Sequence, residues 1–148
     1  IFTKFKNNTF INDSKATNAE ATKSALKQFN NIYWIAGGQS KADGINTIKD
    51  ELKNVKKCYL IGASRFQFKK QINNEIPTKT YERLNDAINE LYDDLKEENN
   101  GTILFSPAAA SFDQYNNFEM RGEDFKNLIF SKFNINTKEP STILGENF

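Results

Sequence analysis

Four short apolar runs separated by amphipathic segments predict an α/β fold, a Rossmann-like, doubly wound, mostly parallel sheet with helices on both faces. The runs are TFIN near 9–12, IYWIAGG from Ile32, CYLIG from Cys58 and TILFSP from Thr102. Bounded by polar residues or glycine, they read as parallel strands buried on both faces. Between them the apolar residues recur at helical spacing, so strand and helix alternate along the chain. A length of 148 residues with 38% hydrophobic content suits one core and is short for two domains.

Taken in order, TFIN is followed by a helical segment over about 17–29 with Ala21, Ala25, Leu26 and Phe29 inward. IYWIAGG leads to a segment over 44–53, and CYLIG to one over 64–73. A short strand is expected in IPTKT, 76–80, where Pro77 favours a sheet edge. The clearest amphipathic helix spans 81–97, with Leu84, Ile88, Leu91 and Leu95 on one stripe. TILFSP then precedes a helix over 121–132 with Phe125, Leu128 and Ile129 inward. After Phe133 the run NINTKEPSTILGENF follows neither period and reads as a tail or strap. Asparagine pairs recur without a fixed period, so there is no internal repeat.

Composition excludes several classes of function. Lys plus Arg is 20 against 19 for Asp plus Glu, a net charge of +1, which lacks the basic footprint of a nucleic-acid binder. With no histidine and a single cysteine, neither a histidine-based triad nor a zinc site can be assembled. Cys58 sits in an apolar run without a disulfide partner, which predicts a buried, inert thiol and a reducing compartment. No segment approaches the roughly 20 apolar residues of a membrane helix, and the N-terminus lacks a signal-peptide layout, so a cytoplasmic location is expected. Met120 is the only methionine, so a chain beginning at Ile1 is expected to be processed or an excised domain.

Three polar constellations follow predicted strands, where open α/β sheets bind ligands. The first is Asp13-Ser14-Lys15-Ala16-Thr17. Thr17-x-x-Glu20 fits a capping box, while Asp13, Ser14 and Lys15 before a helix N-terminus make an anion site reasonable. The second is AGGQSK from Ala36, either a tight turn with a solvated Lys41 or a weak phosphate-type loop, since neither GxxxxGK[ST] nor GxGxxG is present. The third runs through SPAAASFDQYNNFEMRG, where Ser111-x-x-Gln114 reads as a cap or a ligand contact. Phe118 reads by default as a core staple, and Arg121 as a surface partner of a nearby acid.

NDSKATN at 12–18, AGG with Lys41 and Asp43, and LFSPAAASFDQYNNFEMRG at 104–122 resemble the C-terminal domain of the Mur ligases, in the branch that adds D-glutamate to UDP-N-acetylmuramoyl-L-alanine. The likeness runs from about Thr9 to Phe133, and NDSKATN separates this branch from its sister ligases. Two departures stand out. Ala109 occupies the place of a cysteine in the family's SPACAS, and Lys41-Ala42-Asp43-Gly44 is one residue shorter than the family's lysine-glycine-small-aspartate-aromatic run.

The resemblance implies a three-domain enzyme of which this is the last part: 1–8 a linker from a missing upstream domain, 9–133 the glutamate-binding domain, 134–148 a tail. It implies ATP and magnesium, held mainly by the central domain, acting to form an acyl phosphate that an amine attacks through a tetrahedral intermediate. It further implies that Thr17, Lys41, Ser111 and Phe118 bind D-glutamate, Phe118 through its backbone. Asp13 would face the nucleotide ribose, and Lys15 the phosphates, as a catalytic group. No metal ligand, nucleic acid or membrane is expected of this part, which alone should be inactive. Two other readings stand beside it: a stand-alone, non-catalytic α/β module that binds a small anion, and a sister amide ligase with another amino acid.

Overall fold

A computed structural model describes residues 1–136; the expected tail lies outside the described residues from 137 onward. The strands are β1 (Thr3–Phe5), β2 (Asn8–Asn12), β3 (Ile32–Gly37), β4 (Val55–Ile61), β5 (Thr78–Tyr81) and β6 (Thr102–Phe105). The α-helices are α1 (Ala19–Gln28), α2 (Arg65–Ile72), α3 (Leu84–Asp94) and α4 (Phe118–Lys132). One sheet takes the order β1-β2-β6-β3-β4-β5, with every pair parallel except β1 with β2. The chain therefore moves outward from β2 through β3 and β4 to β5, then returns to insert β6 beside β2.

That return places helices on both faces. One face packs Trp34, Ala36, Cys58, Leu60 and Leu104 against α1, α2 and the segment between β3 and β4. The other packs Tyr33, Ile35, Tyr59, Ile61, Ile103 and Phe105 against α3 and α4. Alternate residues of each strand thus enter opposite cores, which is why the strands read as unbroken apolar runs. The doubly wound expectation holds, and Cys58 is buried, its thiol pushed up to about 12 by desolvation.

Three elements differ in detail from the sequence reading. Residues 1–8, expected as a connection, contribute β1, joined to β2 by a two-residue turn with Lys6 at φ 51 and Asn7 at φ 66. That is the mirror-image turn which matches strand twist. The segment expected to be helical over 44–53 winds as a 3-10 helix, Asn46–Asn54. Ile45 and Ile48, three apart and both buried, suit its tighter period. Within α1 the inward residues are Ala19, Thr22, Ala25 and Leu26, while Ala21 faces solvent.

β1 carries Phe2 with it. The Phe2 ring is 1% exposed and meets Phe125 and Phe130 of α4 edge-on at 5.6 and 5.5 Å. Phe2→Ala in the 148-residue chain should cost about 3 kcal/mol through the cavity left behind. Denaturant titration checks this, and a loss under about 1 kcal/mol would mean that the hairpin lies outside the cooperative unit.

Candidate functional site

Because β2, β6, β3, β4 and β5 run parallel, their C-terminal ends share one edge, and the three polar constellations meet there. The group that joins them is Arg121. It is 1% exposed, far from the surface pairing expected of it. Its Nε donates to Ser14 Oγ at 2.9 Å, Nη2 to the Ser14 carbonyl at 2.6 Å and Nη1 to the Ala109 carbonyl at 2.9 Å. Ser14 Oγ in turn donates to the Phe118 carbonyl at 2.8 Å. Burial pushes the guanidinium down to about 10, against the opposing pull of Asp113 and Tyr115, so it stays charged near neutrality.

Asp13 is also enclosed, at 3% exposure. Its Oδ2 accepts from Ser106 Oγ at 2.7 Å, and the Ser106 hydroxyl stands 2.9 Å from that of Thr22. Desolvation raises the Asp13 carboxyl above its ordinary value, while the Ser106 hydrogen bond and the Lys15 charge oppose the rise. Lys15 itself is exposed.

The cap expected at Thr17 lies one residue on. Asn18 Oδ1 accepts from the Ala21 amide at 2.9 Å, which leaves the half-buried Thr17 side chain outside the cap. Ser111 does not cap a helix either. It is 2% exposed in a turn whose carbonyl accepts from Gln114 and Tyr115 amides, and α4 is capped instead by Asn117 Oδ1, which accepts from Met120 at 2.7 Å. Phe118 is 37% exposed, so its ring is not the core staple expected; its carbonyl is the group held by Ser14.

The AGG turn proves structural in its chemistry. The amides of Gly37, Gly38 and Gln39 donate to Pro107 O, Ser64 Oγ and Ala110 O at 2.9, 3.1 and 2.8 Å. Those donors are therefore committed to the fold rather than to a phosphate. A Cβ on Gly38 would stand 2.4 Å from Ala110 O and 3.3 Å from Arg121 Nη1, so glycine there lets the β3 and β6 loops touch.

The two exposed lysines occupy separate clefts. Lys41 lines a cleft of about 280 Å³ with Asn18, Ala19 and Glu20 of the α1 start, together with Thr47 and Ala108. Lys15 lines one of about 220 Å³ with Ser14, Phe118, Glu119 and Lys126 at the α4 start. Among the described residues no group of three His, Cys, Asp or Glu stands ready for a metal, and no helix is long and apolar enough to cross a membrane.

Arg121→Met should remove the clasp while keeping an apolar stem, leaving buried carbonyls at Ser14 and Ala109 without donors. We expect a loss of about 3 kcal/mol by denaturant titration. Arg121→Lys should recover only part of it, since one ammonium cannot reproduce a planar fork across both loops. A full recovery would show that charge alone, without geometry, holds the edge together.

No family model matches the chain. It is 44% identical over 123 residues to the UDP-N-acetylmuramoylalanine--D-glutamate ligase of Wolbachia sp. subsp. Brugia malayi, covering 82% of this chain and 25% of that protein. Similar matches are the ligases of the same name from Bartonella henselae, 44% identical over 81% of this chain and 26% of the protein, and Agrobacterium fabrum, 42% identical over 80% and 26%. The chain thus spans about a quarter of the length of the curated relatives it matches. The chain is thus homologous to a segment, about a quarter in length, of ligases that carry this name.

Proposed function

We propose that the chain is the C-terminal, D-glutamate-binding domain of a UDP-N-acetylmuramoyl-L-alanine:D-glutamate ligase of peptidoglycan precursor synthesis, working in the cytoplasm with upstream domains of the same enzyme. The observation that carries this reading is the convergence of the Asp13–Thr17, Gly38–Lys41 and Ser111–Phe118 loops on one sheet edge around the Arg121 clasp. The ligand chemistry fits the family: D-glutamate carries two carboxylates, and the edge offers exposed lysines beside helix N-termini.

In this reading Lys41 grips a carboxylate of D-glutamate across the cleft it shares with the α1 start, while Thr17, Ser111 and the Phe118 backbone, which lie outside that cleft, would meet the rest of the amino acid, Phe118 from the Lys15 side. The Ser14 bond to the Phe118 carbonyl fixes that backbone in place. Asp13 has one carboxylate oxygen committed to Ser106, so its other oxygen is the one that would meet a ribose hydroxyl. Lys15, exposed at the α4 start, would lie against phosphate oxygens. ATP with magnesium, when bound mainly by the central domain, supplies the phosphoryl group that activates the acceptor carboxylate. This domain contributes alignment of the incoming amine and a fixed positive charge.

The isolated chain should then show no ATPase or ligase turnover, because the groups for phosphoryl transfer belong to the other domains. Turnover above a buffer blank would overturn that division of labour. In the complete enzyme, Lys41→Ala removes a charge-assisted contact made alike in ground and transition states. It should raise KM for D-glutamate about 10- to 150-fold with a smaller fall in kcat. Lys15→Ala should instead depress kcat and leave D-glutamate affinity little changed, since it meets charge that grows during reaction. Steady-state kinetics with ATP saturating, run with a panel of D- and L-amino acids, separates the lysines and tests the substrate. A preference for another amino acid would assign the chain to a sister ligase.

A further inference from the structure

The loop that presents Lys41 has no apolar anchor of its own. From Gly38 to Gly44 it reads Gly-Gln-Ser-Lys-Ala-Asp-Gly, and the first buried hydrophobic residue after it is Ile45. A polar loop of this kind is ordinarily mobile. Its own turns tie it locally, with the Gly44 amide and the Ser40 hydroxyl donating to the Lys41 carbonyl at 3.0 and 2.8 Å and the Asn46 amide to the Asp43 carbonyl at 3.2 Å. Two side chains of α2 then fix that turn to the body of the domain. Gln67 Nε2 donates to the Ala42 carbonyl at 2.9 Å and to the Lys41 carbonyl at 3.4 Å. Gln71 Nε2 donates to the Asp43 carbonyl at 2.9 Å, and its Oε1 accepts from the Ile45 amide at 2.9 Å.

The arrangement is too specific to be incidental. Gln67 and Gln71 are four apart on a helix whose neighbouring stripe, Phe68 and Ile72, is buried, so both amides stand on one side of α2 above a fixed base. The carbonyls of three consecutive residues, Lys41, Ala42 and Asp43, are all engaged. Gly44 closes the fit at φ +56: a Cβ there would lie 2.4 Å from Gln71 Oε1 and 2.8 Å from Gln67 Nε2. The backbone thus lies against both amides with room only for hydrogen.

We propose that Gln67 and Gln71 are positioning residues that set where the Lys41 ammonium stands against the α1 start, and so tune affinity for the amino-acid substrate. Neither glutamine lines the cleft that Lys41 lines; they act through the loop. The inference rests on the proposed role of Lys41 as a carboxylate contact. A lysine whose backbone is free must be ordered by the ligand it binds, whereas a clamped one meets the ligand already placed.

The test is steady-state kinetics on the complete enzyme for Gln67→Met, Gln71→Met, the double variant and Lys41→Ala, with each glutamine change also combined with Lys41→Ala. Loss of one neutral hydrogen-bonding side chain should raise KM for D-glutamate about fivefold, and loss of both about 20-fold, with kcat within about twofold. In the Lys41→Ala background the same changes should add less than about twofold, since the group they position is gone. Gln71→Glu keeps the acceptor for Ile45 and turns an oxygen toward the Asp43 carbonyl, so it should be at least as harmful as Gln71→Met.

Unchanged KM in the glutamine variants, or effects that simply add to those of Lys41→Ala, would overturn the inference while leaving the role of Lys41 standing. A melting temperature that falls in step with affinity would mark the glutamines as general support for the fold and overturn it likewise. If Lys41→Ala itself left KM untouched, the carboxylate role and the positioning role would fall together.

Discussion

The buried charge of Arg121 is the constraint on which the ligand edge depends. A cation taken out of water is tolerable only when oxygen acceptors replace its hydration. Here the acceptors are the Ser14 hydroxyl and carbonyl and the Ala109 carbonyl, with the Phe105 ring 5.9 Å from the guanidinium centre. Because these acceptors belong to loops following β2 and β6, solvating one charge fixes both loops relative to α4. The Ser14 hydroxyl has one proton, which goes to the Phe118 carbonyl, so its lone pair faces Arg121. Loop, helix start and guanidinium are thereby locked into one arrangement.

The glycines of AGG serve that arrangement through size rather than through ligand binding. A phosphate-cradling loop leaves its amides free to point at the ligand. In this turn the amides of Gly37, Gly38 and Gln39 are all directed at neighbouring strands and loops, and the Gln39 and Ala110 backbones exchange hydrogen bonds in both directions at 2.8 and 2.9 Å. What glycine provides at position 38 is the absence of a Cβ between Ala110 and Arg121. The likeness to a nucleotide loop is therefore one of composition and position on the sheet, while the hydrogen-bond donors do different work.

Much of the fold was legible because each strand enters two cores and so loses the polar alternate that would mark a surface strand. The α3 stripe was equally plain, since Leu84, Ile88, Leu91 and Leu95 are all buried. β1 escaped notice because its turn, Lys6-Asn7, takes positive φ without a glycine to announce it. The caps were displaced because Thr17 and Asn18 are both capping residues, and spacing alone does not choose between them. Arg121 was misplaced although the sequence held the clue: Arg121, Phe125 and Ile129 recur at four-residue intervals, so the stripe that buries the last two buries the first. Charge suggested the surface, and periodicity was the better guide. Contacts such as Ser106 with Asp13, 93 residues apart, leave no local pattern to read.

The same constraint bears on how the exposed lysines of this edge are presented. With a net charge of +1 the chain cannot draw an anion by its overall field, so any attraction at this edge has to be local. Lys15 and Lys41 project from backbone that is already held, one through Ser14 on Arg121 and the other by Gln67 and Gln71. Fixed backbone reduces the ordering that a ligand must impose, and a preorganised charge acts more strongly than a mobile one of the same size. Because the two lysines stand in different clefts on that shared base, each can be aligned with its own anionic group without the two competing for one. Two separately held cations on one edge can therefore face two anionic groups that are kept apart.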